Sequence, residues 1–255
     1  PKKRLPAKSG ELTNALDKSH PWRLCPPGQH WVRAHPLTIP ASSKSPERDT
    51  IRNGHCRTNP SKADFYDAAE FKEIAKQYFG ELEKDSEIMP GPDSLGFPNG
   101  NKYDNLIAGW TKFWNEILRP RDPLTPDFVK ALIATESSFN LLEDVQSKAG
   151  PARGLIQVTE STRKILQNPK GELRNHLIKM TQEESREPEV NIAAGVRWLH
   201  HKKELAEKRL KQEITWEEAG AEYKGILPHL GKHEKVDRIM QSLRDYHKQL
   251  KNQRK

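Results

Sequence analysis

The stretch ALIATESSFN, Ala131 to Asn140, sets one ionisable side chain, Glu136, among the small and apolar residues of a buried helix. Phe128, Leu132, Thr135/Glu136 and Phe139 recur at steps of three and four, the spacing of a helix face turned toward a core. A carboxyl on that face has two readings. It is a polar residue at the rim, neutralised by an Arg or Lys, or it lines a cleft. In a cleft, poor solvation disfavours a carboxylate, so the group can hold a proton near neutral pH. Such an acid is what glycosidic bond cleavage needs, because the leaving oxygen must be protonated as the bond breaks.

A second constellation sits near the N-terminus. Cys25, His30, His35, His55 and Cys56 fall within 32 residues. Three alternatives stand for them. The cysteines form a disulfide; Cys25, His30, His35 and Cys56 hold a structural zinc; or both thiols are free and buried. The Cys-x4-His…His-Cys spacing matches no standard finger. Catalysis by Glu136 requires no cofactor in any of these cases.

The elements that must position Glu136 read as helices. Thr125 and Pro126 are a good N-cap and first residue for its helix. Before it, YDNLIAGWTKFWNEIL carries Leu106, Trp110, Phe113, Trp114 and Ile117 at helical steps. SKADFYDAAEFKEIAKQYF predicts a further helix with Ser61 as its cap. After Glu136 come a loop with SKAGPARG and a helix near TESTRKILQN. The longest pattern is EPEVNIAAGVRWLHHKKELAEKRLKQ, with Asn191 read as a cap. A helix at TWEEAGAEYKGI opens on Thr215 with Glu218 three residues on, a capping box. HEKVDRIMQSLRDYHKQL closes the series. Residues 1 to about 60 are proline-rich and irregular, with short pieces such as HWVRAH that suit strands. The expected architecture is therefore mainly α: a helical domain over 62–255 behind a small irregular N-terminal segment, 1–61, that has room for β-structure. No sheet is expected outside that segment.

ALIATESSFN followed by SKAGPARGLIQVTESTRKI resembles the lytic transglycosylase and goose-type lysozyme superfamily. Its pieces here are Glu136-Ser137, Ser147, Gly154-Leu155-Ile156-Gln157 and Thr162. NIAAGVRWL, Asn191 to Leu199, is similar to the family's Asn-Ile-x-x-Gly-x-x-Tyr-Leu helix, and AEYKG, Ala221 to Gly225, to its Ala-Tyr-Asn-x-Gly segment. The resemblance implies a lysozyme-like fold with Glu136 as the catalytic acid. It implies Gln157 and Tyr223 at the cleft, Ile156 where a Met packs beside substrate, and Ser137 and Ser147 as hydroxyls near the site. Each also has an ordinary reading: Ile156 as core, Tyr223 as a core aromatic with its hydroxyl at the rim. Three departures stand out. The spacing from Glu136 to Gly154 is about three residues longer than usual, Pro151 interrupts the Gly-Ala pair, and Lys224 replaces the Asn.

The implied substrate is peptidoglycan, cut at the β-1,4 bond between N-acetylmuramic acid and N-acetylglucosamine. In the lytic route Glu136 is acid and then base, and the product is a 1,6-anhydro sugar. A muramidase would instead hold water with a second carboxylate, for which Glu143, Asp144, Glu160 and Glu222 are the nearby candidates. A wall-binding or structural protein without turnover is the alternative from another class. The net charge of +8 suits an anionic wall, and Arg153, Arg163 and Lys164 flank the cleft motif. The zinc-finger, aromatic-sheet and phosphate-loop patterns of nucleic-acid or nucleotide binders are absent. No apolar run nears the ~20 residues of a membrane span. The opening PKKRLPAKSG has no apolar stretch behind its basic start, so it does not read as a signal peptide. Action in the periplasm or wall then implies lysis, injection or a trimmed signal, as for a secreted effector or a phage-associated enzyme. The N-terminal segment is the candidate docking piece for delivery or secretion machinery.

Overall fold

The structure, a computed structural model, describes residues 22–60, 64–80, 82, 88–173 and 175–253. Its centre is α5 (Pro188–Leu210), whose residues from Val190 to His201 are all buried. The first half of this helix carries small and branched residues on every side, so neighbours pack all around it. Those neighbours include α1 (Ala68–Ile74), α2 (Asp104–Leu118) and α6 (Trp216–Tyr223). Trp114 of α2 donates its indole N–H to the Ala193 carbonyl at 2.8 Å, which fixes the two helices in register. Edge-to-face contacts among Phe71, Phe79, Trp110, Phe113 and Trp114 fill the space beside α1 and α2.

The helix bearing Glu136 is α3 (Pro126–Ser137), which packs against α7 (Glu234–Asn252). Thr125 caps it, its hydroxyl accepting from the Phe128 N–H. The Thr215–Glu218 capping box is present at α6, and Thr159 caps α4 (Glu160–Leu166). These starts follow from local chemistry: the hydroxyl satisfies an N–H that the helix leaves without a partner. Charges also sit inside. Lys130 of α3 is fully buried and donates to the Gly91 carbonyl, Asn101 and Asp104 at 2.8–2.9 Å, tying the Pro/Gly-rich loop to α3.

The helix expected from residue 62 begins later. Phe65–Asp67 is a strand, paired in parallel with Leu177–Lys179. Asp67 is the cap, its carboxylate accepting from the Glu70 N–H at 2.8 Å. A carboxylate one residue before AAE competes well for that role; Ser61 lies outside the described residues.

The N-terminal segment forms one antiparallel ribbon from β1 (Gln29–Val32), β2 (His35–Ile39), β3 (Arg48–Arg52) and β4 (His55–Thr58). Gln29 pairs with Thr58, Val32 with His55, His35 with Arg52 and Ile39 with Arg48, and the Ser42–Ser45 bridge continues the same register. All of β3 is exposed. Numbering onward, Phe65–Asp67 is β5 and Leu177–Lys179 is β9. Between them lies a sheet that the sequence did not suggest: β6 (Asp144–Val145), β7 (Ala152–Arg153) and β8 (Val158–Thr159). Strands of two residues are too short to show alternation.

A disulfide joins Cys25 to Cys56. Both thiolates that the zinc alternative required are consumed by it, and among the described residues no three His, Cys, Asp or Glu side chains converge on a metal position. The residues beside Cys25 are not a separate layer. Leu24 and Cys25 are buried in the helical core, and Arg23 lies 4.7 Å over the Tyr66 ring while donating to Asp64. The Leu24 N–H donates to Glu70, whose carboxyl burial pushes up to about 8. Among the described residues no helix is long and apolar enough to cross a membrane.

Candidate active site

Glu136 is the penultimate residue of α3. The chain then reverses through two left-handed residues, Ser138 (φ 52°) and Phe139 (φ 59°). Neither is glycine, so each conformation costs ~1 kcal/mol or more. Burial offsets that cost: the Phe139 ring is fully enclosed and meets Phe97 at 5.8 Å between centroids. The abrupt exit leaves the Glu136 side chain at the helix end, 16% exposed. A carboxylate there faces the negative end of the helix dipole. Its partner comes from another helix: Lys224 Nζ lies 2.6 Å from Glu136 Oε1.

The opposite wall is the segment from Arg153 to Gln157. Gly154 has φ 73°, and a Cβ there would stand 2.6 Å from Asn191 Nδ2. Asn191 is completely buried and makes three bonds, two to this wall and one to Ser185. Its Oδ1 accepts from the Ile156 N–H at 2.9 Å, and its Nδ2 donates to the Arg153 and Ser185 carbonyls at 2.9 and 2.7 Å. It is therefore a bracket for the loop, not the helix cap expected; Glu187 occupies the cap position. The Tyr223 hydroxyl donates to the Ile156 carbonyl at 2.7 Å, tying the end of α6 to the same wall. Burial, together with the Glu136 carboxylate nearby, pushes this phenol well above its ordinary pKa.

Gln157 closes the wall in a left-handed conformation (φ 54°). Its Nε2 donates to the Gly154 and Glu143 carbonyls at 2.8 and 2.9 Å, while its buried Oε1 has no partner among the described residues. A buried amide oxygen without a donor is unusual, and it is an acceptor that a ligand hydroxyl or amide can use.

The other expected substrate-binding residues serve differently. Ile156 is fully buried and seats on Gly195 of α5, so its side chain belongs to the core and its carbonyl to the site. Ser137 is buried and spends its hydroxyl on the Leu155 carbonyl at 2.7 Å, since the face of α3 that it occupies points toward the loop. Ser147 is exposed; its hydroxyl donates to the Gly150 carbonyl and accepts from the Ala149 N–H, closing a local turn. Most of the segment between Glu136 and Gly154 is exposed, and it includes β6.

The candidate second acids have partners of their own. Glu160 pairs with Arg163 through two bonds of 2.7 and 2.9 Å, Glu222 pairs with Arg209 in the same manner, and Asp144 pairs with Arg186. Glu143 accepts from the Asn140 side chain at 2.9 Å. Of the expected basic flank, Arg163 and Lys164 share Glu160, and Arg153 is buried. A cleft of about 750 Å³ lies elsewhere, at the seam between the ribbon base and the helical body, lined by His30, Phe65, Asp67, Arg163, Lys179 and Met180 among others. None of Glu136, Gln157, Tyr223 or Lys224 lines it.

The sequence matches the family model of the transglycosylase SLT domain over residues 118–238. That span contains α3, the Arg153–Gln157 wall, α5 and the Tyr223–Lys224 end of α6. No curated protein and no solved structure matches the chain. The mainly helical fold, seven α-helices among the described residues, agrees with this match, and the match over residues 118–238 supports the lysozyme-like superfamily and, in general terms, its peptidoglycan-cleaving, lytic transglycosylase-like class.

Proposed function

We propose that this protein cleaves the β-1,4 bond between N-acetylmuramic acid and N-acetylglucosamine by the lytic route, outside the cytoplasm where that polymer lies. Glu136 gives its proton to the bridging oxygen as the bond from the muramic C1 breaks. Positive charge develops on C1 and the ring oxygen, and the substrate's own acetamido carbonyl stabilises it. The Glu136 carboxylate then takes the proton of the muramic 6-hydroxyl, whose oxygen bonds to C1 and closes the 1,6-anhydro ring. Gln157 Oε1 is the acceptor for a sugar hydroxyl or amide, and Tyr223 holds the wall that carries it.

The observation that supports this reading over hydrolysis is the commitment of the nearby acids. Asp144, Glu160 and Glu222 are each held by an arginine, so none is poised to activate water. Muramidase chemistry is the second reading because of Glu143, whose carbonyl is bonded to the Gln157 amide and whose carboxylate, among the described residues, is held by Asn140 and by no cation. Binding without turnover is a third, favoured by the lysine on Glu136. The ribbon at residues 29–58 is our candidate for docking to a carrier, on the strength of its exposed strands.

Digestion of purified sacculi by wild type and by Glu136→Gln, read by mass spectrometry, separates these readings. Anhydro-muropeptides are the expected product, lost in the variant. Reducing ends in their place would support the hydrolase, and intact sacculi the binding protein. A variant that retained more than about a tenth of the rate would remove Glu136 from its role, since a general acid supplies ~10²–10⁴-fold.

A further inference from the structure

Lys224 is the C-cap residue of α6, with its N–H bonded to the Gly220 carbonyl at 3.0 Å, and Gly225 after it turns with φ 69°. Its main chain is anchored, while the four-carbon stem can re-aim the ammonium. The side chain is only 9% exposed. An ammonium has three protons to donate, and the bond to Glu136 is the one it makes among the described residues.

This contact conflicts with acid catalysis. The ion pair needs Glu136 as a carboxylate, whereas acid catalysis needs it protonated, even if the proton sits on Oε2, and a protonated Glu136 is no longer an anion for Lys224. Turnover therefore requires another anion to take up the ammonium. A nearly buried ammonium left without an anion is strongly disfavoured, so the replacement anion must arrive with the substrate. Glycan strands carry such groups as the free carboxylates of lactyl side chains and stem peptides.

Resting on the reading of a glycan-strand substrate, we propose that Lys224 is a positioning residue that passes from Glu136 to a free carboxylate of the bound strand, so that Glu136 is released for catalysis on anionic strands and held on neutral ones. Substrate charge then sets the rate through this exchange and makes Lys224 a determinant of specificity. The arrangement also keeps the acid engaged until a strand of the right kind is seated.

The test compares native strands with the same strands after amidation of their free carboxyls, using wild type, Lys224→Met and Lys224→Arg. Wild type is expected to cleave native strands with kcat/KM at least ~10-fold above amidated ones, an effect typical of a desolvated charge pair. Lys224→Met should bring the two rates together, and Lys224→Arg should keep them apart. An equal loss on both substrates in Lys224→Met, or a wild-type ratio near one, overturns the proposal. The wild-type ratio and the arginine variant keep the test decisive if the methionine variant folds poorly. Glu136→Gln run in parallel separates the two ideas. If it cleaves native strands at the wild-type rate, the acid assignment fails; if it is dead while the Lys224→Met ratio is unchanged, the exchange alone fails.

Discussion

Gly195 lies directly against Ile156: a Cβ on Gly195 would stand 2.0 Å from Ile156 Cγ2. The central helix is thus notched where the site wall rests on it. Gly195→Ala should displace Ile156, and with it the carbonyl that Tyr223 holds at 2.7 Å. Overpacking of this kind costs ~1–3 kcal/mol. Urea denaturation should show that loss, and sacculus digestion should fall by more than the loss of folded protein explains. An alanine variant of unchanged stability and rate would show that the wall does not depend on the notch.

Asn191 carries two bonds to the same wall from within α5 and a third to the Ser185 carbonyl. Asn191→Leu is near in size but leaves the Ile156 N–H and two carbonyls without partners. Each unsatisfied buried group costs ~1–3 kcal/mol, so a stability loss of about 3 kcal/mol is expected by chemical denaturation. Amide exchange should quicken first at Ile156; exchange unchanged there would contradict the bracket.

His200 gives the fold a pH dependence. Burial, and then the positive charge of Arg197, lower its pKa to about 3. In the unfolded chain it titrates near its ordinary 6.5. Between those values the unfolded state binds a proton that the folded state refuses, so stability is lost as pH falls from about 6.5 toward 3. His200→Phe keeps an aromatic ring beside Trp216, which His200 meets at 5.0 Å. Its stability curve should be flatter than the wild type's over that window, measured by urea titration at a series of pH values. Parallel curves would show that His200 does not titrate as its burial requires.

The disulfide closes a loop with a separation of 31 residues. Chain-entropy arguments give ~3–4 kcal/mol for a loop of that size. Reduction should therefore loosen the ribbon at its base, while α3, α5 and α6 keep their own packing. Limited proteolysis with and without reductant is expected to cut between residues 29 and 58 only after reduction, with the helical circular dichroism signal largely retained. Loss of the whole helical signal would mean that ribbon and body fold as one unit.

Much of the helical body could be read from local chemistry. Thr125-Pro126 and the Thr215–Glu218 box announce α3 and α6 because a cap and its partner are three residues apart. Glu136 was visible as a charge on an apolar face. Other features depended on partners far along the chain. Lys224 reaches Glu136 across 88 residues, and Asn191 reaches Ile156 across 35; no local pattern encodes either. For Ile156 the core reading was one of two the sequence left open, while the inward turn of Ser137 has no local signal. A left-handed residue at Gln157 and another at Ser138 redirect the chain, and periodicity cannot follow side chains through such a bend. Asp67 has no local mark as a cap, because β5, which sets it there, owes its existence to Leu177–Lys179, over a hundred residues away.

The single register running from Gln29–Thr58 to the Ser42–Ser45 bridge has a mechanical corollary. In a two-stranded ladder, sliding one strand by a residue turns every side chain to the opposite surface. Cys56 would then face away from Cys25 and the covalent link could not close. One sulfur–sulfur bond at the root therefore sets the phase of the whole ribbon out to its tip, in the way that the first tooth of a zip decides which teeth meet at the last.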